Sequence, residues 1–358
     1  MSSSVFDSAD LGRRRNEYVR GFALLLVVAV AGLFWAKWQP YVARTFAILS
    51  AHAYPGPSII SGPLDTPPPP SWDAAIGYAQ AYFNAIWQAM VVGLLLGTTI
   101  ETFVPRDWIA RVLGRSGARA AALGGLLSLP GMMCTCCSAP VVVGFRRSGA
   151  SIGSAITFFL GNPTLNPAVI VFLLLAMGWQ WALLRVVFGV ALVAAAAVVA
   201  TRLAGDRIIL PQPQLAATLP ADGGSLSLRW VRTLARLVVR LVPEYVVIVL
   251  LLGAFRALLF PAAVAHSGND FGVMVLMAIV GTAFVIPTAG EIPIIQTLQS
   301  FGLGSGVAGV LLMTLAPLSL PSLAMLSRTF PIRILVTVAG LTALAGLLCG
   351  LAVIALGL

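Results

Sequence analysis

The chain has 358 residues, 59% of them hydrophobic and only 9% charged, with a mean hydropathy of +0.96. A soluble domain carries about a quarter charged residues, so a cytosolic enzyme, a disordered chain and a coiled coil are excluded and an integral membrane protein is expected. The 22 Lys and Arg against 12 Asp and Glu must therefore be tested against membrane topology before any nucleic-acid partner is invoked.

In chain order, Gly21 to Trp35 is an apolar run behind Arg13, Arg14, Arg15 and Arg20. It reads as a first membrane helix with its N-terminus in the cytoplasm, because the only A-x-A-like triplet, Ala51-His52-Ala53, lies too far downstream for signal cleavage. From Trp38 to Asp73 the chain is polar and ends in Pro67 to Pro70, which predicts an extended external linker. Ala79 to Phe103 is a second span. Ala118 to Gly131 and Val141 to Phe145 are each too short to cross a bilayer and flank a break at Pro130 to Pro140. A re-entrant hairpin keeps Arg146 and Arg147 on the cytoplasmic side. Ser151 to Met177 crosses outward, broken at Asn162-Pro163 and Asn166-Pro167, and Trp179 and Trp181 mark the outer interface. Ala182 to Ala200 returns, Val238 to Leu259 crosses outward, Phe271 to Ile286 and Ile292 to Ser300 form a second broken pair, and Val307 to Leu326 and Ile334 to Ala355 finish the chain.

This layout puts eighteen of the 22 basic residues inside; Lys37, Arg44, Arg185 and Arg256 fall outside or near the outer face. Topology thus accounts for the net charge of +10 without nucleic acid. Cys137-Ser138-Ala139-Pro140 aligns with Gly290-Glu291-Ile292-Pro293, Gly149 with Gly302, Gly153 with Gly306, and Pro163 and Pro167 with Pro317 and Pro321. An odd number of spans separates the copies, so the expected fold is an all-α membrane protein of two inverted-topology repeats, each with a re-entrant hairpin and a broken helix, plus one extra N-terminal transmembrane helix. The segments are a cytoplasmic N-terminus (1–20), the first helix (21–37), the Pro-rich linker (38–78), repeat 1 (79–203), a cytoplasmic linker (204–228) and repeat 2 (229–358).

Freed backbone at a helix break cannot face lipid, so both tips are expected in protein around a midplane site. The first tip reads Met132-Met133-Cys134-Thr135-Cys136-Cys137-Ser138. Five soft sulfur atoms there select Cu(I), Hg(II) or trivalent arsenic over hard cations, which makes Cys134, Cys136 and Cys137 candidate ligands for a soft metal or metalloid, with Met133 and Ser138 beside them. Glu291 is the one carboxylate expected near the midplane, a candidate proton-coupling group or a helix-capping carboxylate. Asn162, Thr164 and Asn166 either cap the freed backbone or face the substrate. Their assumed counterparts Ala316, Leu318 and Leu320 are apolar, and that asymmetry favours a substrate role. Glu101 and Glu244 fall nearer span ends, where a solvated or salt-bridged role is expected. His52 and His266 are not expected to bind metal, and Cys349 reads as packing.

Cys134-Thr135-Cys136, Pro140, the Arg146-Arg147-Ser148-Gly149-Ala150-Ser151 turn and Asn162-Pro163 to Asn166-Pro167 resemble a bacterial predicted-permease family that includes the trivalent organoarsenical efflux permeases. The resemblance runs from about Tyr78 to the C-terminus and implies an inner-membrane permease with the Cys-x-Cys segment as a substrate contact. The family's segment is usually Pro-x-Cys-Ser-Cys-Gly; here Met132 replaces the Pro, Thr135 the Ser and Cys137 the Gly. The sequence carries no Walker-type phosphate loop, so the chain does not power itself with ATP. The expectation is a transporter, not an enzyme, without cofactor, in a lipid bilayer, moving a small-molecule or metalloid substrate; a homo-oligomer is compatible with it. A permease for a sulfur-containing anion, and a membrane thiol oxidoreductase using a Cys134–Cys137 disulfide, are the alternatives.

Overall fold

The computed structural model describes residues 8–51, 54–56, 58–61, 67–115, 117–204, 226–260 and 268–358, with side chains described from Val19 onward. His52, His266 and most of the expected linker at 204–228 lie outside the described residues. Among the described residues the regular structure is helical throughout, apart from one isolated bridge between Gly268 and Leu303. Six helices or helix pairs are long and apolar enough to cross a bilayer, and the chain is a multi-pass membrane protein.

Helix α1 (Ser8–Leu33) does not end near Trp35. It passes through a π-helical turn (Phe34–Trp38) into α2 (Gln39–Ala51), so helix covers the first fourteen residues (38–51) of the segment expected as an external linker. The wide turn supplies the reason. Gln39 N–H bonds to Phe34 O, and Pro40, which lacks an N–H, follows directly, where the helix ladder is already interrupted. Next come α3 (Trp72–Phe103), opened by a Ser71 cap that accepts from Ala74 N at 3.0 Å, and the short α4 (Arg106–Val112).

Two broken pairs follow the expected pattern. Helix α5 (Ala118–Ser128) ends in one 3₁₀ turn, the chain extends, and α6 (Thr135–Arg147) begins. Helix α7 (Ile152–Thr164) breaks before α8 (Pro167–Ala176), and α9 (Trp179–Ala204) returns. After α10 (Leu226–Ala254) and the short α11 (Arg256–Leu259), α12 (Phe271–Ala283) is broken from α13 (Glu291–Ser300). Helix α14 (Ser305–Thr314) breaks before α15 (Leu320–Ser327), and α16 (Ile332–Leu356) closes the chain.

The element starts expose an internal repeat. Ala118 and Phe271, Ile152 and Ser305, Pro167 and Leu320, and Trp179 and Ile332 each stand 153 residues apart. The turns repeat as well: Gly149 and Gly302 both adopt the left-handed region, at φ 100° and 94°, where a Cβ would be strained. Helix α5 packs on α7 as α12 packs on α14, and α7 on α9 as α14 on α16.

Candidate functional site

The sulfur-bearing tip is positioned by close backbone packing. A Cβ on Gly93 or Gly97 of α3 would collide with Cys137 O or Pro140 O, so these glycines let α6 lie backbone to backbone on α3. Met132 turns the chain between α5 and α6 with φ 48°, a left-handed conformation that costs an unbranched residue about 1 kcal/mol or more. Surrounding donors hold it there. Trp38 Nε1 donates to Pro130 O at 2.9 Å, Tyr41 Oη to Met132 O at 3.2 Å, and Met133 N to Asn162 Oδ1 at 3.3 Å. The backbone freed by the break is thus paired inside protein, as a membrane interior demands.

Cys134, Cys136 and Cys137 are free thiols and buried. Their sulfurs all lie within 4.8 Å of one another: Cys134 Sγ is 3.0 Å from Cys136 Sγ and 2.9 Å from Cys137 Sγ, and the last two are 3.8 Å apart. Tyr82 of α3 reaches Cys136 Sγ at 3.0 Å, and Tyr245 of α10 donates in turn to Tyr82. Three converging sulfurs can supply two or three thiolates to one soft centre. Ser138 is satisfied within its own helix, donating to Thr135 O at 3.1 Å. Met133 is buried beside the cluster, and its backbone N–H makes the contact with Asn162.

The second tip runs from Phe284 to Gly290, and Ala289 turns it at φ 67°. Met132 and Ala289 are the two non-glycine residues with positive φ among the described residues, one at each tip. Glu291 opens α13, and its Oε1 pairs with Arg185 Nη2 at 3.1 Å, both side chains being fully buried. The sequence reading set Arg185 outside or near the outer face; within the protein, α9 places it in a fully buried position. Its guanidinium also donates to Thr164 O at 2.9 Å, to Pro163 O at 3.0 Å and to Leu312 O. One arginine therefore satisfies the carbonyls freed at the α7–α8 break and ties them to the second tip. The other break is tied across as well, with Thr135 Oγ1 3.1 Å from Ser319 Oγ.

Asn162 is spent on structure: its Nδ2 donates to Phe158 O at 2.9 Å while its Oδ1 receives Met133 N. Asn166 caps α8, accepting from Ala168 N at 3.0 Å and Val169 N at 3.4 Å. Its counterpart at the 153-residue offset is Ser319, which caps α15 in a capping box with Ser322. The sequence alignment ran one residue off here, so the asymmetry that favoured a substrate role disappears: both breaks are capped. Three buried polar atoms remain unpaired around the pair of breaks, namely Thr164 Oγ1, Asn166 Nδ2 and Glu291 Oε2.

A crevice of about 10 Å³, the room of about one water, is lined from all four breaks: Cys134 of the first tip, Thr288 and Glu291 of the second, Pro163 of α7, and Ala316 between α14 and α15. A separate, open cleft of about 560 Å³ abuts it. Pro287 and Thr288 line both, so this one segment separates the cleft from the crevice. Lys37, expected outside, is buried at that wall and donates to Thr288 Oγ1 and Tyr41 Oη, each at 3.1 Å. Glu101 and Glu244 behave as their span-end positions suggest, pairing with Arg147 and Arg328, each at 3.1 Å. Trp181 does not: it is buried, while Trp179 is exposed.

The sequence reading missed Arg185, Lys37, Tyr82 and Tyr245. For the two cations a signal existed, since both are among the four that the cytoplasmic charge count leaves over. The tyrosines sit within long apolar helices and carry no local mark.

Comparison with known proteins agrees with the residues. The chain is 43% identical to UPF0718 protein YraQ of Escherichia coli K12 over 92% of its own length and 93% of that protein's. It is 23% identical to UPF0718 protein MJ0584 of Methanocaldococcus jannaschii, over 73% of this chain and 90% of that one. A shorter likeness, 26% over 29% of the chain, is to UPF0718 protein YcgR of Bacillus subtilis. No solved structure matches. The model of a family described as predicted permeases matches residues 79–354, which takes in both tips and both broken helices, and the chain belongs to that predicted permease family.

Proposed function

We propose that the chain is a secondary permease of the cell inner membrane that exports a small thiophilic solute, with a trivalent organoarsenical or a soft metal ion as first candidates. The observation that carries this reading is three free cysteine sulfurs within 4.8 Å of one another at a helix break that shares a crevice with Glu291. Thiolate ligands favour soft centres. An arsenous acid of the form R–As(OH)₂ exchanges both hydroxyls for two cysteine sulfurs: two As–O bonds break, two As–S bonds form, the two thiol protons leave with the hydroxyls as two waters, and arsenic stays trivalent. A third sulfur beside the pair gives the bound arsenic a partner for onward exchange.

The 153-residue repeat supports two halves of opposite orientation, with the tips entering as re-entrant hairpins from opposite faces and the halves rocking about the site between them. The excess of basic residues in the segments read as cytoplasmic supports a cytoplasmic N-terminus. Glu291 is the proton-coupling group in this scheme. Its unpaired Oε2 is free to take a proton, and protonation would loosen Arg185 from the second tip. Thr164 Oγ1 and Asn166 Nδ2, also unpaired, are the polar contacts left for a solute, with Met133, Ser138 and Asn162 shaping the wall.

The test is equilibrium binding of phenylarsenous acid and Hg(II) to purified protein in detergent, wild type against the Cys134/Cys136/Cys137→Ser triple variant. Tight binding that vanishes in the variant is expected. Equal binding by both proteins, or none by either, would overturn the thiolate site.

A further inference from the structure

The cleft of about 560 Å³ beside the second tip has a one-sided charge. Lys37, Arg44 and Arg256 line it, and no Asp or Glu does. Among the described residues none of the three cations pairs with a carboxylate. Arg256 is held by backbone carbonyls instead, donating to Ile60 O at 2.8 Å and to Ala74 O at 2.7 Å, which orients its charge without cancelling it. Lys37 is 4% exposed and uses two of its three ammonium protons on Tyr41 and Thr288, leaving one donor without a partner. Arg44 Nη1 donates to Tyr54 Oη at 2.7 Å, and burial pushes the Tyr54 phenol up to about 12, so its own O–H stays available to donate. The polar groups around this cleft are thus donors in excess, in a site walled by apolar helices, where uncompensated charge acts strongly.

A neutral metalloid gains nothing from such a cleft. We propose that it is an anion-binding vestibule, and that the solute handed to the sulfur cluster is itself an anion carrying soft sulfur. This rests on the permease reading with the cysteine cluster as its inner contact, and it puts a sulfur-bearing anion in place of the soft-acid cargo. Lys37 is the link. It lines the vestibule and holds Thr288 of the dividing segment. Hard oxygens of the anion are held by Lys37 and Arg44. Once the anion has passed the dividing segment, its soft sulfur is the end that the crevice cysteines accept, with neutral thiols donating S–H bonds and no covalent change. The vestibule wall from Ala36 to Tyr54 precedes the stretch from 79 to 354 that the family shares. Two of its three cations, Lys37 and Arg44, are therefore supplied by the N-terminal helices, outside the repeats.

Thiosulfate, which joins a soft sulfur to three oxygens, is the probe, and sulfate is its hard control. Binding is measured by titration calorimetry on the full chain in detergent. Wild type is expected to bind thiosulfate at least about tenfold more tightly than sulfate. Lys37→Gln is expected to weaken thiosulfate about tenfold, the scale of one lost charged hydrogen bond. Arg44→Gln, an exposed change whose one side-chain partner is Tyr54 and which leaves folding intact, is expected to weaken it a few-fold. Arg44→Gln should leave phenylarsenous acid binding unchanged. Unchanged thiosulfate affinity in both variants would overturn the vestibule while leaving the cysteine site standing. Equal affinity for sulfate and thiosulfate would overturn the soft-sulfur class. Absence of phenylarsenous acid binding by the wild type, with thiosulfate binding intact, would instead overturn the thiophile reading and leave the vestibule standing.

Discussion

At the first tip the chain presents three thiols; at the matching place in the second half it presents one carboxylate. The backbones around them are near copies: helix starts 153 residues apart, one strained non-glycine residue at each tip, and a left-handed glycine at each following turn. What differs is how each tip is held. The first is clamped from outside the repeats by Trp38 and Tyr41, and from its own half by Asn162. The second is held by Arg185, which belongs to the first half, and from outside the repeats by Lys37 through Thr288. The breaks recur at one offset, and side chains from elsewhere in the chain set the surroundings of each. A helix break in a membrane is therefore a socket rather than a site.

The largest expected effect comes from cutting the bond that crosses between halves. Glu291→Ala strands a buried guanidinium, and the cost of an uncompensated buried charge is about 3–5 kcal/mol. A marked fall in the thermal unfolding midpoint in detergent is expected, with the Arg185→Met/Glu291→Leu double variant recovering most of it. If the double variant were as unstable as the single, the carbonyl contacts of Arg185, not its pairing with Glu291, would be what joins the halves. Next is the packing that serves the first tip. Gly97→Val places methyl groups where Pro140 O lies, and overpacking of this kind costs about 1–3 kcal/mol. Because the strain falls on α6, Hg(II) affinity should fall with it; retained affinity in a folded variant would show that the cluster does not depend on this contact. The smallest effect tests the equivalence of the breaks. Asn166→Ala and Ser319→Ala should each lower stability by about 1 kcal/mol, the worth of a cap. Equal losses with transport retained in both would assign Asn166 to capping. A transport loss confined to Asn166→Ala would assign its free Nδ2 to the solute.

The order of spans, the two broken pairs and the sulfur cluster were legible because each leaves a local mark: an apolar run of given length, a Pro-Gly interruption, a burst of one residue type. The depth of an isolated cation leaves no such mark. Arg185 stands near the start of α9, which reads as an interfacial arginine, yet it is fully buried because four acceptors from three elements converge on it. Lys37 and Pro40 read as the polar end of a span, and the π turn that carries the helix past them has no sequence signature of its own. The residues were not invisible, however. The positive-inside count leaves over four cations, and these turn out to be the partner of Glu291 and the three that line the cleft. In a membrane chain the exceptions to the charge rule are where to look first.

In the rocking scheme proposed above, the N-terminal helix would give the molecule a resting preference. Two matched halves rocking about a common centre would by themselves spend similar time in each orientation. This chain adds a strap on one side: Trp38 and Tyr41 bonded to the first tip and Lys37 to the second. Three such bonds at about 1 kcal/mol each would bias the two orientations by roughly a hundredfold. A solute that competes for Lys37 would loosen the strap by arriving, so the same contact that detects cargo would also set how often the empty carrier turns over.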